Sequence, residues 1–125
     1  MSIRSKLEKR AAPYLQSGER VHAVFPALSG PSPYWMFVTG SLLSLVLNYH
    51  LFVVTDQAIV VLDTSKFHGR VKGVGLRHPR NFYFGEMTGL YGSFVLEDTK
   101  YFVHRRFHKD VAAADAALGR PAPAR

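Results

Sequence analysis

Short β-type segments fill the middle of this chain, and helical spacing is confined to its two ends. Val21, Ala23 and Phe25 alternate as a strand with one buried face does. Pro26, Gly30, Pro31 and Pro33 then forbid its continuation and mark an irregular connection. Residues 50–55 and 58–62 are rich in Val, Phe and Ile and read as a strand pair joined by a tight turn at Asp56-Gln57, with Asp63-Thr64-Ser65 closing the second strand. Further short strands are predicted over 71–76, 81–84, 92–96 and 100–105. Their spacing of about ten residues implies a meandering antiparallel barrel or sandwich. At the front, Ser2 caps a short helix carrying Ile3, Leu7 and Ala11 on one face, and Pro13 stops it. It reads as a frayed terminal helix with no role of its own. At the back, Val111, Ala112, Ala114, Asp115 and Leu118 follow a 3.6-residue period that Gly119 and Pro121 end.

Superimposed on this pattern is a stretch without charge. Between Arg20 and Asp56 there is no Asp, Glu, Lys or Arg, and its centre, residues 35–47, reads WMFVTGSLLSLVL. Such a run in a small basic protein is buried in the core, docked on a partner or placed in a membrane. Thirteen residues fall short of the ~20 that a spanning helix needs. Extending the run over 34–54 reaches that length only by consuming residues that look like strand.

Composition narrows the class. The chain has 125 residues, 47% hydrophobic and 13% aromatic, which is globular and enough for one domain with its own core. It has no cysteine, so there is no disulfide framework or thiolate metal site. The net charge of +7 favours anionic surfaces. Lys66, Arg70, Lys72, Arg77 and Arg80 form one block without an acidic residue, and Lys100, Arg105, Arg106 and Lys109 form another. The first twenty residues are too charged for a secretory signal, so a cytoplasmic protein is expected.

Little in the sequence points to a reaction. His104 and His108 are four apart, as zinc ligands on a helix would be, but His104 falls in a predicted strand and no acidic residue completes the set. Asp56 and Asp63 are read as turn residues rather than as an acid–base pair. Gly73-Val74-Gly75 lacks the third glycine and following helix of a dinucleotide site. No catalytic residue, metal or cofactor is therefore expected. Basic residues interleave with aromatics in residues 77–84 and in Lys100-Tyr101-Phe102, as in platforms that stack single-stranded nucleic acid, although alternating aromatics in strands more often line a core.

Three segments carry a resemblance: Ser17-Gly18-Glu19-Arg20-Val21, the run YHLFVVTDQAIVVL over 49–62, and RFHKDVAAADAAL over 106–118. Together they resemble the bacterial pleckstrin-homology-like families, of uncharacterised actinobacterial type, over about residues 17–118. The resemblance implies a mainly β fold with α: a bent antiparallel barrel of about seven strands, with a short N-terminal helix and a C-terminal helix able to plug one opening. The division it implies is one domain over 1–119, with the first strand in 16–28, an apolar connection over 29–49, the remaining strands in 50–106, the C-terminal helix at 107–119 and a disordered tail at 120–125. It also implies a binding or scaffolding module rather than an enzyme. In eukaryotic relatives, basic residues around the connection between the first two strands hold inositol phosphates. Residues 21–55 contain none here. In some bacterial relatives apolar membrane segments precede the Tyr–Thr-Asp strand, where 35–47 sits.

In an antiparallel meander the connection between strands one and two and the connection between strands three and four leave from the same end. An apolar wedge beside cations would bind an anionic lipid surface at the inner membrane face. The residues expected to form that surface are Tyr34, Trp35, Met36, Phe37, Leu42, Leu43 and Leu45, with Lys66, Arg70 and Lys72 beside them. The alternative is a soluble protein–protein interaction or homo-oligomerisation module, with single-stranded nucleic acid as a third partner class.

Overall fold

The computed structural model describes residues 3–30, 47–65 and 70–118. Helix α1 (Ile3–Ala11) passes into a 3-10 turn (Ala12–Tyr14) with Pro13 near its start. Six strands follow: β1 (Val21–Ser29), β2 (Asn48–Thr55), β3 (Ala58–Thr64), β4 (Val71–Pro79), β5 (Tyr91–Leu96) and β6 (Thr99–His104). A second 3-10 turn (Arg105–Phe107) leads into helix α2 (His108–Ala117). The strands form one open antiparallel sheet in the order β4-β3-β2-β1-β6-β5.

The sheet is bent where β1 meets β6, which pair only through Leu28–Phe102 and Ser29–Tyr101. The bend can be gauged from the rings inside it. β2 and β5 are three strand steps apart, roughly 14 Å in a flat sheet, yet Phe52 and Phe94 have ring centroids 5.3 Å apart. The concave face encloses Phe25, Phe52, Phe84, Phe94 and Tyr101, and α2 closes over it with Val111 and Ala114. The rings meet edge-on or stacked, as their quadrupoles prefer. The convex face carries Val24, Leu51, Val53, Val60 and Leu62, covered by Ala11 and Leu7 of α1. Because β2 and β3 are covered on both faces, they read as continuous apolar runs rather than as clean alternation.

Several expectations are corrected. The first strand does not stop at Phe25. β1 continues through Pro26, which faces Leu51 on β2 but has no β6 residue opposite, and one-sided pairing tolerates a residue lacking an N–H. Residues 81–84 form no strand. Phe84 instead inserts into the aromatic core, and its N–H, with that of Gly85, is accepted by the Asp115 carboxylate at 2.8 and 3.0 Å. A buried acid on α2 thus replaces a strand ladder, which is why Asp115 shares the apolar period of its helix. The N-terminal helix is not idle, since Ala11 is fully buried under the sheet. The described strands number six, not seven, and the sheet stays open between β4 and β5. A membrane span over 34–54 is excluded at its C-terminal end, because 48–55 is strand; no described helix is long and apolar enough to cross a membrane.

The two segments that begin the resemblance lock onto each other. Thr55 is fully buried, and its hydroxyl accepts the N–H groups of Gln57 and Ala58 at 3.1 and 3.0 Å, shaping the two-residue turn. The same hydroxyl donates to Glu19 Oε2 at 2.5 Å. Glu19 has no exposed side-chain surface and also receives Gln16 N–H at 2.6 Å and both Arg77 terminal nitrogens at 3.0–3.1 Å. Burial works against its ionisation, but the bonds from Arg77, Thr55 and Gln16 and the Arg77 charge outweigh it and hold its pKa below the usual carboxylate range. Beside it, Asp56 accepts Arg20 N–H at 2.9 Å and returns its own N–H to the Arg20 carbonyl at 3.0 Å.

Candidate functional site

The strand registers fix one end of the sheet as the place where two connections depart. Ser29 lies opposite Asn48, Tyr49 opposite Thr64, and Thr64 opposite Val71. Gly30 and Leu47, the ends of the charge-free connection, and Ser65 and Arg70, the ends of the basic one, therefore leave and return at the same rim. Of the residues expected to form the binding surface, Tyr34, Trp35, Met36, Phe37, Leu42, Leu43, Leu45 and Lys66 lie outside the described residues. Arg70 and Lys72 are exposed at this rim. Leu47, the last residue of the apolar run, is fully buried and belongs to the core.

The expected basic block over 66–80 is smaller than its sequence suggests. Arg77 is paired with Glu19, and Arg80 is buried with Nη2 donating to the Ala114 carbonyl at 2.6 Å. Both cations are turned inward to hold the fold, leaving Arg70 and Lys72 as the described members presented to solvent. The aromatic platform is likewise internal: Phe84, Tyr101 and Phe102 are buried and serve the core.

At the same rim a polar chain crosses three strands on the concave face. Asp63 Oδ1 lies 2.9 Å from His50 Nδ1, and His50 Nε2 lies 2.7 Å from Ser29 Oγ. A carboxylate only accepts, so Nδ1 carries the proton and Nε2 receives the serine O–H. Burial lowers the His50 pKa below its ordinary value, and Asp63 offsets this only in part, which keeps the ring neutral near pH 7. Tyr101 closes over the imidazole edge-on at 5.3 Å. Gly75 on β4 makes room for the acid: a Cβ there would fall 2.7 Å from the Asp63 carboxylate oxygens. Asp63 is thus a strand residue in a cross-strand pair, not the turn residue expected.

The order Ser–His–Asp invites comparison with hydrolytic triads, but the exposures run the other way. There the acid is buried and the serine faces substrate. Here Ser29 is 5% exposed, whereas the Asp63 side chain is 48% exposed. The chain carries a polar link from solvent inward to the last residue of β1. Its open end lines a cleft of about 400 Å3 with Asn48, Tyr49, Thr64 and Lys72. A second cleft, about 330 Å3 and mostly apolar, lies along Leu7, Pro26, Leu28, Leu51, Phe102 and Phe107.

The remaining titratable candidates are occupied structurally. His104 Nδ1 accepts Arg106 N–H at 3.2 Å and caps the turn before α2. His108 Nε2 sits 3.2 Å from Gly92 N and 2.9 Å from the Val103 carbonyl, tying α2 to the β5–β6 hairpin. Asp56 is committed to Arg20, in keeping with its reading as a turn residue. Among the described residues no group of His, Asp and Glu is arranged to hold a metal ion. The His50–Asp63 pairing had a signal in the sequence. A two-residue turn sets the register of a hairpin, and these residues stand five positions before Thr55 and five after Ala58. The serine had none, because the β1–β2 connection is too long to set a register.

Comparison with protein-family models, curated proteins and solved structures returned no match for this chain.

Proposed function

We propose that the chain is a non-catalytic, pleckstrin-homology-like binding module that associates peripherally with an anionic membrane surface. The observation that carries this reading is the common rim. The charge-free connection spanning 31–46 and the basic connection bounded by Ser65 and Arg70 start and finish there, with Lys72 exposed alongside. Apolar insertion supplies affinity in proportion to area, and each neighbouring cation adds ~1 kcal/mol, roughly fivefold in affinity. The inward commitment of Arg77 and Arg80 narrows the electrostatic contribution to Arg70, Lys72 and, from the sequence, Lys66. The reversed exposures of Ser29 and Asp63 support a binding role over a hydrolytic one.

Vesicle flotation tests the reading. The protein is expected to float with vesicles rich in anionic phospholipid and far less with neutral ones. Arg70→Gln and Lys72→Gln should each weaken recovery without moving the melting temperature, because both side chains are exposed. Equal recovery on the two vesicle types, or none on either, overturns it.

A further inference from the structure

The two edges of the open sheet are guarded very differently. Edge strand β4 carries Lys72, Arg77 and Pro79, and its pairing with β3 is broken by two register shifts. These are the devices by which natural sheets discourage a further strand from adding. Edge strand β5, YGSFVL, has no charged residue, no proline and an unbroken register with β6. Val95 on it is 56% exposed, the most exposed large hydrophobic residue among those described.

Hydrogen-bond parity shows what this edge offers. Arg105 N–H is bonded to the Leu90 carbonyl at 2.8 Å just beyond the Tyr91–His104 pair. In an antiparallel ladder bonded and non-bonded pairs alternate, so Gly92, Phe94 and Leu96 exchange their bonds with β6. Ser93 and Val95 then turn their backbone N–H and C=O groups to the other side, where no described strand pairs with them. The side chains of Ser93 and Val95 are exposed, whereas Gly92, Phe94 and Leu96 point into the core.

We propose that the β5 edge is a homotypic interface, at which a second copy of the chain adds its own β5 antiparallel about a two-fold axis through Ser93. This register exchanges the outward-facing backbone groups while keeping inner faces with inner faces. It sets Val95 of each copy opposite Tyr91 of the other, an aromatic–β-branched cross-strand pair made twice by symmetry. The charges agree. The hairpin has an acidic end, exposed Glu97 and Asp98 at the β5–β6 turn, and a basic end, exposed Arg105 and Arg106. An antiparallel two-fold brings the acidic end of each copy toward the basic end of the other. In a chain of net charge +7 most faces repel their copies, and this one attracts. The proposal rests on the backbone and charges of the β5 edge and does not depend on membrane binding.

The absence of cysteine from the chain makes the test direct. At the axis the two Ser93 Cα atoms would be about 5.5 Å apart, the spacing of a hydrogen-bonded antiparallel pair, which lies within the span a disulfide bridges. Ser93→Cys is expected to form a covalent dimer under mild oxidation, whereas Ser17→Cys, exposed in the loop before β1, forms no covalent dimer under the same conditions. Sedimentation equilibrium of the unmodified protein should give a mass rising toward twice that of the chain with concentration. Val95→Lys should hold it at the monomer mass with its melting temperature unchanged, since that side chain is largely exposed. The proposal is overturned if the unmodified protein stays monomeric at the highest concentration it reaches. It is equally overturned if a dimer forms that Ser93→Cys does not trap and Val95→Lys does not dissociate.

Discussion

Replacing Glu19 with Ala tests whether the clasp between the chain entry and the Thr55 turn holds the fold. The substitution removes the acceptor for Gln16 N–H, the Thr55 hydroxyl and both Arg77 terminal nitrogens. These losses are unequal. Gln16 is exposed and its amide rehydrates. The Thr55 hydroxyl has a second acceptor, the Ala58 carbonyl at 3.1 Å. Arg77 keeps 30% side-chain exposure, so its ion pair counts for less than an enclosed one. Hydrogen bonds to a charged group contribute about 1.5–3 kcal/mol each when enclosed. After these discounts the variant should lose about 2–3 kcal/mol, a large share of the ~5–15 kcal/mol that keeps a domain folded. Urea unfolding at pH 7 measures it, and Arg77→Ala with the double variant completes a cycle in which the two losses should fall short of additivity. The pH dependence has a definite sign. The folded pKa of Glu19 is below its ordinary value of 4.5, so its contribution is present above pH 4.5 and lost as pH falls through the folded value. Glu19→Gln should flatten that acid limb. A Glu19→Ala variant within about 0.5 kcal/mol of the parent, the range of an ordinary surface change, would refute the reasoning.

Other perturbations separate the remaining parts of the structure. Leu47→Asp buries an unpaired carboxylate in a site with no solvent exposure and should cost several kcal/mol; an unchanged melting temperature would mean that Leu47 belongs outside the core. His50 is depressed by burial, so its contribution to stability is present above the ordinary value of 6.5 and lost as pH falls through the lower folded value, whereas His50→Gln should remove that part of the pH profile. Gly75→Ala should displace the Asp63 carboxylate and, by removing the group that raises it, drive the His50 pKa lower still, as read by NMR titration of the ring. Asp115→Ala strips the acceptor from two backbone amides, that of Phe84 being fully enclosed, and leaves Arg80 without its nearby opposite charge; a loss of about 2–4 kcal/mol in urea unfolding is expected.

What the sequence determined by itself is the set of elements and the short-range geometry. Runs of β-branched and aromatic residues bounded by turn residues placed β2, β3, β5 and β6 to within two residues, because such side chains suit a pleated backbone and the turn residues end it. The two-residue turn at Asp56-Gln57 set the β2–β3 register, and with it the meeting of His50 and Asp63, since a hairpin of that length leaves no slack. Helical period located α2, and the position of Asp115 within that period was already a sign of its burial. Only the tertiary structure decided which charges and aromatics are available to a partner. Arg77 meets an acid 58 positions away and Arg80 a carbonyl 34 positions away, so a block that is cationic as a string presents few cations as a surface. Ser29 joins His50 only because β1 runs on through Pro26, an extension permitted by one-sided pairing at that point and invisible to local turn chemistry. Residues 81–84 left the strand pattern because a carboxylate on α2 supplied their backbone with acceptors that no neighbouring strand offered. Local pattern is set by the chain's own stereochemistry, but a charge or an aromatic ring acquires its role only from what the fold brings against it.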